Sequence, residues 1–201
     1  MLLTRSIHPS TLQELAEAIV INYEGQCFNP NEHRLINYRY VLEICSSLVS
    51  VSTAELNVHE TPWLKAKYDI ERRYYFANDK PLEIVQFAHF SVKEYMTFER
   101  AKSTLKICRF SFSPITAHRS VAELSLVYLL NFSGAVRHSQ IDFEAFPFLA
   151  YAAQHWPEHW HKQLTMQDQA TINGLIQQIL DTEEDHTAYI NYINISTGRP
   201  R

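Results

Sequence analysis

The chain has 201 residues, 46% of them hydrophobic, which predicts a folded protein with a core in one ordinary domain or two small ones. Its formal net charge of −4 gives no overall electrostatic reason to expect nucleic acid or an anionic membrane as a partner. Three widely spaced cysteines without a CxxC pair support neither a disulfide framework nor a zinc knuckle, and no apolar run approaches the roughly 20 residues of a membrane helix. We therefore expect a soluble, cytoplasmic protein with no membrane partner.

The N-terminal part predicts two helices. Thr11 and Glu14 form a TxxE capping box, and apolar residues then recur on one face, which predicts a helix from Thr11 to Tyr23. A polar loop follows. A second helix is predicted from about Asn37 to Ser47 by apolar residues at helical spacing.

A hairpin with a long connection follows these helices. The alternating sequence LVSVS, Leu48 to Ser52, predicts one strand, and LEIVQFAHF, Leu82 to Phe90, predicts the returning strand. The connection, about residues 53–81, is much longer than a normal hairpin turn and is interpreted as a long wing. Two helices followed by a strand, a wing and a strand are the order of a winged-helix domain.

The rest of the chain predicts helices. Ser91 is predicted to cap a helix that ends near Lys102, with Val92, Tyr95, Met96 and Phe98 facing inward. Ser113 and Pro114 predict the start of a further helix to about Leu130. Later helices are predicted over residues 143–154, where Pro157 is expected to end the helix, and over residues 167–180.

The predicted fold class is therefore mainly α with a small antiparallel β-hairpin, an α+β fold. The predicted domains are a winged-helix domain at residues 1–102 and an α-helical linker domain at residues 103–201.

Catalytic motifs are missing from the sequence. It has no GxxxxGK[ST] phosphate loop, no GxSxG elbow and no HExxH motif, so we expect neither an enzyme nor a nucleotide held by this chain alone. Cys45 falls on the apolar face of its predicted helix, where a buried, inert thiol is the usual case. His155, His159 and His161 are clustered, but the expected helix break at Pro157 and the lack of further ligands predict an aromatic packing corner and no metal site.

The predicted wing carries basic and aromatic residues together. Lys65, Lys67, Arg72 and Arg73 are interleaved with tyrosines, as in a wing that contacts nucleic acid. The alternative is a solvated insertion whose aromatic residues dock on the core. The chain has a negative net charge, and Arg39 is the one basic residue of the predicted second helix. Both observations argue against nucleic acid as a partner.

His89 stands at the junction of a predicted strand and helix. Most histidines in such a position are satisfied by a backbone group, and a ligand role is the alternative.

Several sequence blocks together resemble a known region. They are TLQELAEAI (Thr11 to Ile19), LEICSSLVSV (Leu42 to Val51), FAHFSVKEYM (Phe87 to Met96), AHRSVAELSLVYLL (Ala117 to Leu130) and FPFLAYAAQHWPEHW (Phe146 to Trp160). This pattern resembles the winged-helix and helical region that follows the NACHT nucleotide-binding domain in fungal NACHT/ankyrin-repeat signalling proteins of the STAND type. Ser125 occupies a position where that family commonly has cysteine.

The resemblance implies a non-catalytic module of an intracellular sensor related to heterokaryon-incompatibility and innate-immunity receptors. Its implied partners are a NACHT domain that carries ADP or ATP and ankyrin repeats, in cis or in trans. In the wider class a Met-His-Asp motif places a histidine near the ADP phosphate, so His89 looks like that histidine. Ala88 and Phe90 replace the methionine and the aspartate.

Overall fold

The computed structural model describes residues 1–7, 9–21, 35–54, 82–97, 113–133, 146–162 and 166–181. Their helices and strands, in chain order, are α1 (Leu2–Arg5), β1 (Ser10–Thr11), α2 (Leu12–Ile19), α3 (Tyr40–Cys45), β2 (Val49–Ala54), β3 (Leu82–Phe87), α4 (Phe90–Thr97), α5 (Pro114–Ser133), α6 (Leu149–Trp160) and α7 (Met166–Asp181). A 3₁₀ turn, Ser46–Leu48, leads from α3 into β2. The mainly helical α+β fold with a small antiparallel sheet is confirmed.

The sheet has three antiparallel strands in the order β1-β3-β2. Val49 is paired with Phe87 and Ala54 with Leu82, so the two predicted strands do form a hairpin. β1 was not predicted, because a strand of two residues has no measurable periodicity. It pairs Ser10 with Val85 and therefore places β3 in the centre of the sheet.

Helix α2 begins with the predicted capping box. The Glu14 backbone N–H donates to Thr11 Oγ1 at 3.2 Å, and the Thr11 backbone N–H donates to Glu14 Oε2 at 2.8 Å. Both residues are buried, so water cannot replace these bonds. α2 ends at Ile19 with Val20 as its C-cap, so the predicted helix was too long, since Val20 and Ile21 are not helical. Tyr23 itself lies outside the described residues.

The start of α4 corrects one prediction. Ser91 is not the N-cap, because the helix begins at Phe90 and His89 caps it. None of the residues of α4 is fully buried, and Tyr95, predicted to face inward, is 55% exposed. The pattern of apolar residues predicts that one side of this helix is buried in the core, whereas the helix lies on the surface with Val92 half-buried.

Helix α5 is the centre of the helical part. The Ser113 hydroxyl accepts the Thr116 backbone N–H at 3.0 Å, which confirms the predicted cap. From residue 120 to residue 129 nearly all its side chains are buried, as expected of a helix that has neighbours on several sides. α5 packs against α1, α6 and α7.

Helix α6 corrects the prediction that Pro157 ends a helix. α6 continues through Pro157 to Trp160. A proline near the end of a helix removes one backbone hydrogen bond, here the bond to residue 153, and burial of His159 beyond it stabilises the last turn. The predicted helix at residues 167–180 is confirmed as α7.

One hydrophobic core joins the two parts of the chain. Its buried residues include Leu12 of α2, Val85 of β3, Tyr128 of α5, Leu149 of α6 and Ile172 of α7. The predicted domain boundary at residues 102 and 103, and most of the predicted wing, lie outside the described residues. Within the described ranges, no helix is both long enough and apolar enough to cross a membrane.

Candidate functional site

His89 lies exposed between β3 and α4. The sequence predicted a junction here but extended the strand to Phe90, whereas β3 ends at Phe87 and Phe90 begins α4. Its Nδ1 accepts the Ser91 backbone N–H at 3.2 Å and is 2.8 Å from Ser91 Oγ. A backbone N–H can only donate, so Nδ1 is unprotonated and the neutral ring carries its proton on Nε2. The helix cap therefore makes Nε2–H of His89 a hydrogen-bond donor. The ring also packs on Phe90, with 4.4 Å between ring centroids.

Apolar side chains are exposed around this junction. Phe90 is 68% exposed, and Tyr95 follows it on the same helix. A second set, which we call the α3 stripe, consists of Ile36, Tyr40, Ile44 and Leu48, all exposed. Tyr40 and Ile44 lie on α3, Ile36 precedes this helix, and Leu48 ends the 3₁₀ turn that follows it. The Ala88 backbone N–H donates to the Leu48 carbonyl at 3.0 Å, so the end of the stripe lies beside the junction.

Single exposed apolar residues are ordinary, but several of them gathered where two segments of the chain meet are typical of an interaction surface. We call Phe90, Tyr95 and the α3 stripe together the junction surface. It contrasts with the helical part, where Tyr128, Phe148 and Tyr151 are all fully buried.

The structure does not test the basic residues of the nucleic-acid alternative. Lys65, Lys67, Arg72 and Arg73 lie outside the described residues. Arg39, the basic residue of the predicted second helix, forms an ion pair with Glu83 on β3. A guanidinium held by a carboxylate is less available to a phosphate.

A buried glutamate connects α2 with the helical part. Glu17 is 3% exposed, and its Oε2 accepts the Tyr128 hydroxyl at 2.8 Å and the Phe148 backbone N–H at 2.9 Å. Phe148 immediately precedes α6, so the carboxylate lies at the positive end of that helix. This residue fixes three elements relative to one another.

Three side chains, two buried and one half-buried, connect α5 and α6 through hydrogen bonds. His159 Nε2 lies 2.8 Å from the Tyr151 hydroxyl, and His159 Nδ1 lies 2.8 Å from His118 Nδ1. His159 is fully buried, and this burial together with the nearby His118 lowers its pKa to about 3. Burial also lowers the pKa of His118 and raises that of Tyr151 above the ordinary value.

The other residues of the predicted histidine cluster separate. His155 Nδ1 faces Glu158 at 3.3 Å and its ring lies 5.0 Å from that of Tyr151, whereas His161 is exposed and stacks near Trp160. The rings of His155 and His159 both lie beside that of Tyr151 on α6. No group of three or more potential metal ligands occurs in the described part of the chain. Cys45 is a half-buried free thiol, and burial raises its pKa.

Sequence reasoning missed Glu17 and the link from His118 to His159. The two histidines are 41 positions apart in the sequence, so no local pattern indicates their contact. A signal was present, because Glu17 falls among apolar residues on a helix whose other glutamate already forms the cap.

Comparison with known proteins gives one distant relative. The chain is 25% identical over 196 residues to the azaphilone pigments biosynthesis cluster protein L of Monascus ruber. The alignment covers 96% of this chain and 36% of the relative, so the chain spans about a third of that protein. No protein-family model matches the sequence, and no solved structure matches it.

Proposed function

We propose that the chain is a non-catalytic regulatory and interaction module of a NACHT-type signal-transduction NTPase. It packs on a nucleotide-binding domain in the cytoplasm and relays the nucleotide state of that domain. The observation that carries the proposal is the junction surface, where Phe90 and the α3 stripe expose apolar side chains beside His89.

The fold supports this proposal through its N-terminal part. Short helices on a small antiparallel sheet, with a hairpin whose strands are linked by residues 55–81, are compatible with a winged-helix domain. The distant relative is nearly three times as long as the matched region, which is compatible with a module of a larger protein. The implied partners, a NACHT domain and ankyrin repeats in cis or in trans, come from the resemblance of the sequence blocks.

The geometry of His89 supports a specific role. Because Ser91 occupies Nδ1, the ring presents Nε2–H, a donor suited to a phosphate oxygen of ADP held by the partner domain. A donor that meets the phosphate in one packed state only would favour that state by the difference in contact energy. In this way His89 would respond to a nucleotide that the partner domain holds.

The interaction is tested by binding. The full chain is titrated against a recombinant NACHT domain from a fungal NACHT/ankyrin-repeat protein, loaded with ADP or with a non-hydrolysable ATP analogue. We expect binding that differs between the two nucleotides and is lost in the double variant Ile44→Asp and Phe90→Asp. Lys93→Asp, an exposed change on the same helix, is the matched control and should bind normally. Equal binding by the double variant and the wild type, or no binding with either nucleotide, would refute the proposal.

The role of His89 requires variants that separate capping from sensing. His89→Asn keeps a side-chain acceptor for the cap but removes the Nε2–H donor, because asparagine is a good N-cap residue. His89→Ala removes both. We expect both variants to reduce the preference for the ADP-loaded domain, with a loss of thermal stability only in His89→Ala. If His89→Asn keeps the nucleotide preference, His89 is only a helix cap.

The nucleic-acid alternative stays a prediction with a simple test. Salt-dependent binding of a DNA duplex, lost in the Arg72→Ala and Arg73→Ala double variant, would favour it over the interaction module.

A further inference from the structure

The chain of Tyr151, His159 and His118 joins two helices through hydrogen bonds that depend on proton count. His118 lies on α5, and the other two residues lie on α6, on either side of Pro157. A backbone hydrogen bond with Ile7 brings the segment after α1 to the same hydroxyl. Three separate parts of the chain therefore meet at one buried group.

The two Nδ1 atoms, 2.8 Å apart, can share exactly one proton. With both rings neutral, Tyr151 donates to Nε2 of His159, which donates through Nδ1 to His118. A first added proton is tolerated, since His118 then donates to His159 Nδ1 and His159 Nε2–H donates to the Tyr151 oxygen. A second proton places N–H groups on both Nδ1 atoms, and the bond between the rings is lost.

The cationic groups near His118 and His159 disfavour added protons on these two rings. Arg5 at the end of α1 and Lys162 after α6 act on His118, while His155 and Lys162 act on His159. Glu14 of α2 and Glu158 of α6 lie near Tyr151 and favour protons there. Burial disfavours the charged form of both rings most strongly, and the nearby cationic groups add to it, so the pKa values of His118 and His159 both lie below the ordinary histidine value.

The backbone at Pro157 makes the end of α6 depend on these side chains. Proline has no N–H, so the turn from Pro157 to Trp160 lacks one bond to the preceding turn. The His161 N–H donates to the Pro157 carbonyl at 3.0 Å, so the last turn is bonded within itself. His159 is the buried side chain of that turn.

We propose that Tyr151, His159 and His118 form a pH-sensitive latch that holds the last turn of α6 on α5 near neutral pH and releases it in acid. Release exposes His159 and separates Trp160 from the core while α5 stays folded. The latch is independent of the junction surface and of any partner domain.

The latch is tested by hydrogen exchange on the full chain. Deuterium uptake of peptides that cover residues 155–162 is compared with uptake over residues 121–129 of α5 between pH 7.5 and 4.5, after correction for the intrinsic exchange rate. Below the ordinary histidine pKa, protection of the α6 end should fall by up to about tenfold per pH unit for each linked proton. Protection within α5 should change little.

Variants and a direct proton measurement complete the test. His118→Gln, a half-buried position, and His159→Gln should each flatten the pH dependence, whereas His161→Gln, exposed and two residues from His159, should keep it. Imidazole ¹⁵N shifts of the wild type should show His159 neutral while the α6 end is protected. An unchanged pH dependence in both His118→Gln and His159→Gln would overturn the latch. So would loss of α5 and α6 protection together, or a protonated His159 in the protected helix.

Discussion

The shared acceptor Glu17 predicts that the N-terminal and helical parts unfold as one unit. Glu17 lies in α2 and its donors lie in α5 and just before α6, so the two bonds cross the predicted boundary at residues 102 and 103. If the carboxylate couples these parts, removal of either partner lowers the stability of both. The perturbation is a double-mutant cycle of Glu17→Ala and Tyr128→Phe.

The magnitudes follow from the contacts. A hydrogen bond to a charged group contributes roughly 1.5–3 kcal/mol, so Glu17→Ala, which removes an acceptor of two donors, should cost about 3–5 kcal/mol. Tyr128→Phe removes one donor and should cost about 1–2 kcal/mol. Because the two changes share a bond, the double variant should be about 1–2 kcal/mol more stable than the sum of the single effects predicts.

Urea unfolding followed by circular dichroism and by tryptophan fluorescence measures these free energies. The control is Glu43→Ala, an exposed glutamate on α3, which should change stability by less than about 0.5 kcal/mol. A coupling energy below about 0.5 kcal/mol would refute the reasoning. Two separate transitions in the wild type would show instead that the parts unfold independently.

Three further outcomes are expected. Thr11→Ala should destabilise the protein by about 1 kcal/mol through loss of the cap, whereas Thr11→Ser should be nearly neutral, as measured by urea unfolding. The free energy of unfolding should fall as the pH drops below about 6.5 and continue to fall toward pH 3. In this range the unfolded chain takes up a proton on His159, whereas the folded chain, in which the pKa of His159 is about 3, does not. If the difference in unfolding free energy between His159→Gln and the wild type stayed the same at every pH, this reasoning would be contradicted. Pro157→Ala should raise the melting temperature, because it restores a helix hydrogen bond. This gain should exceed the stabilisation that proline provides by restricting the unfolded chain. A lower melting temperature would show that the helix is adapted to proline.

Local signals in the sequence predicted local structure well. The Thr11 and Ser113 caps and the pairing of the two strands depend on neighbouring residues and on strand alternation, and all three are present. The errors at Ser91 and Pro157 have a common cause, since a residue's intrinsic preference was weighed without its tertiary surroundings. His89 caps the helix two residues before Ser91, and burial of His159 carries α6 past the proline.

The candidate sites could be predicted only in part. His89 was identified from the strand-to-helix junction and from resemblance, and its exposure follows from its place after the last paired strand residue. The tautomer imposed by Ser91 was not predictable, because it depends on the helix start. The contact of His118 with His159 depends on how α5 and α6 pack, and no local pattern encodes that distance.

Thr11 is at once the last residue of β1 and the cap of α2, and this double membership has a mechanical consequence. Sliding of β1 along β3 would pull the first turn of α2 with it, since Thr11 is paired with Ile84 and bonded to Glu14. Six residues further on, about 9 Å along the helix axis, Glu17 holds Tyr128 and Phe148. A displacement of the sheet would therefore move α5 and α6 through α2, a continuous helix of two turns.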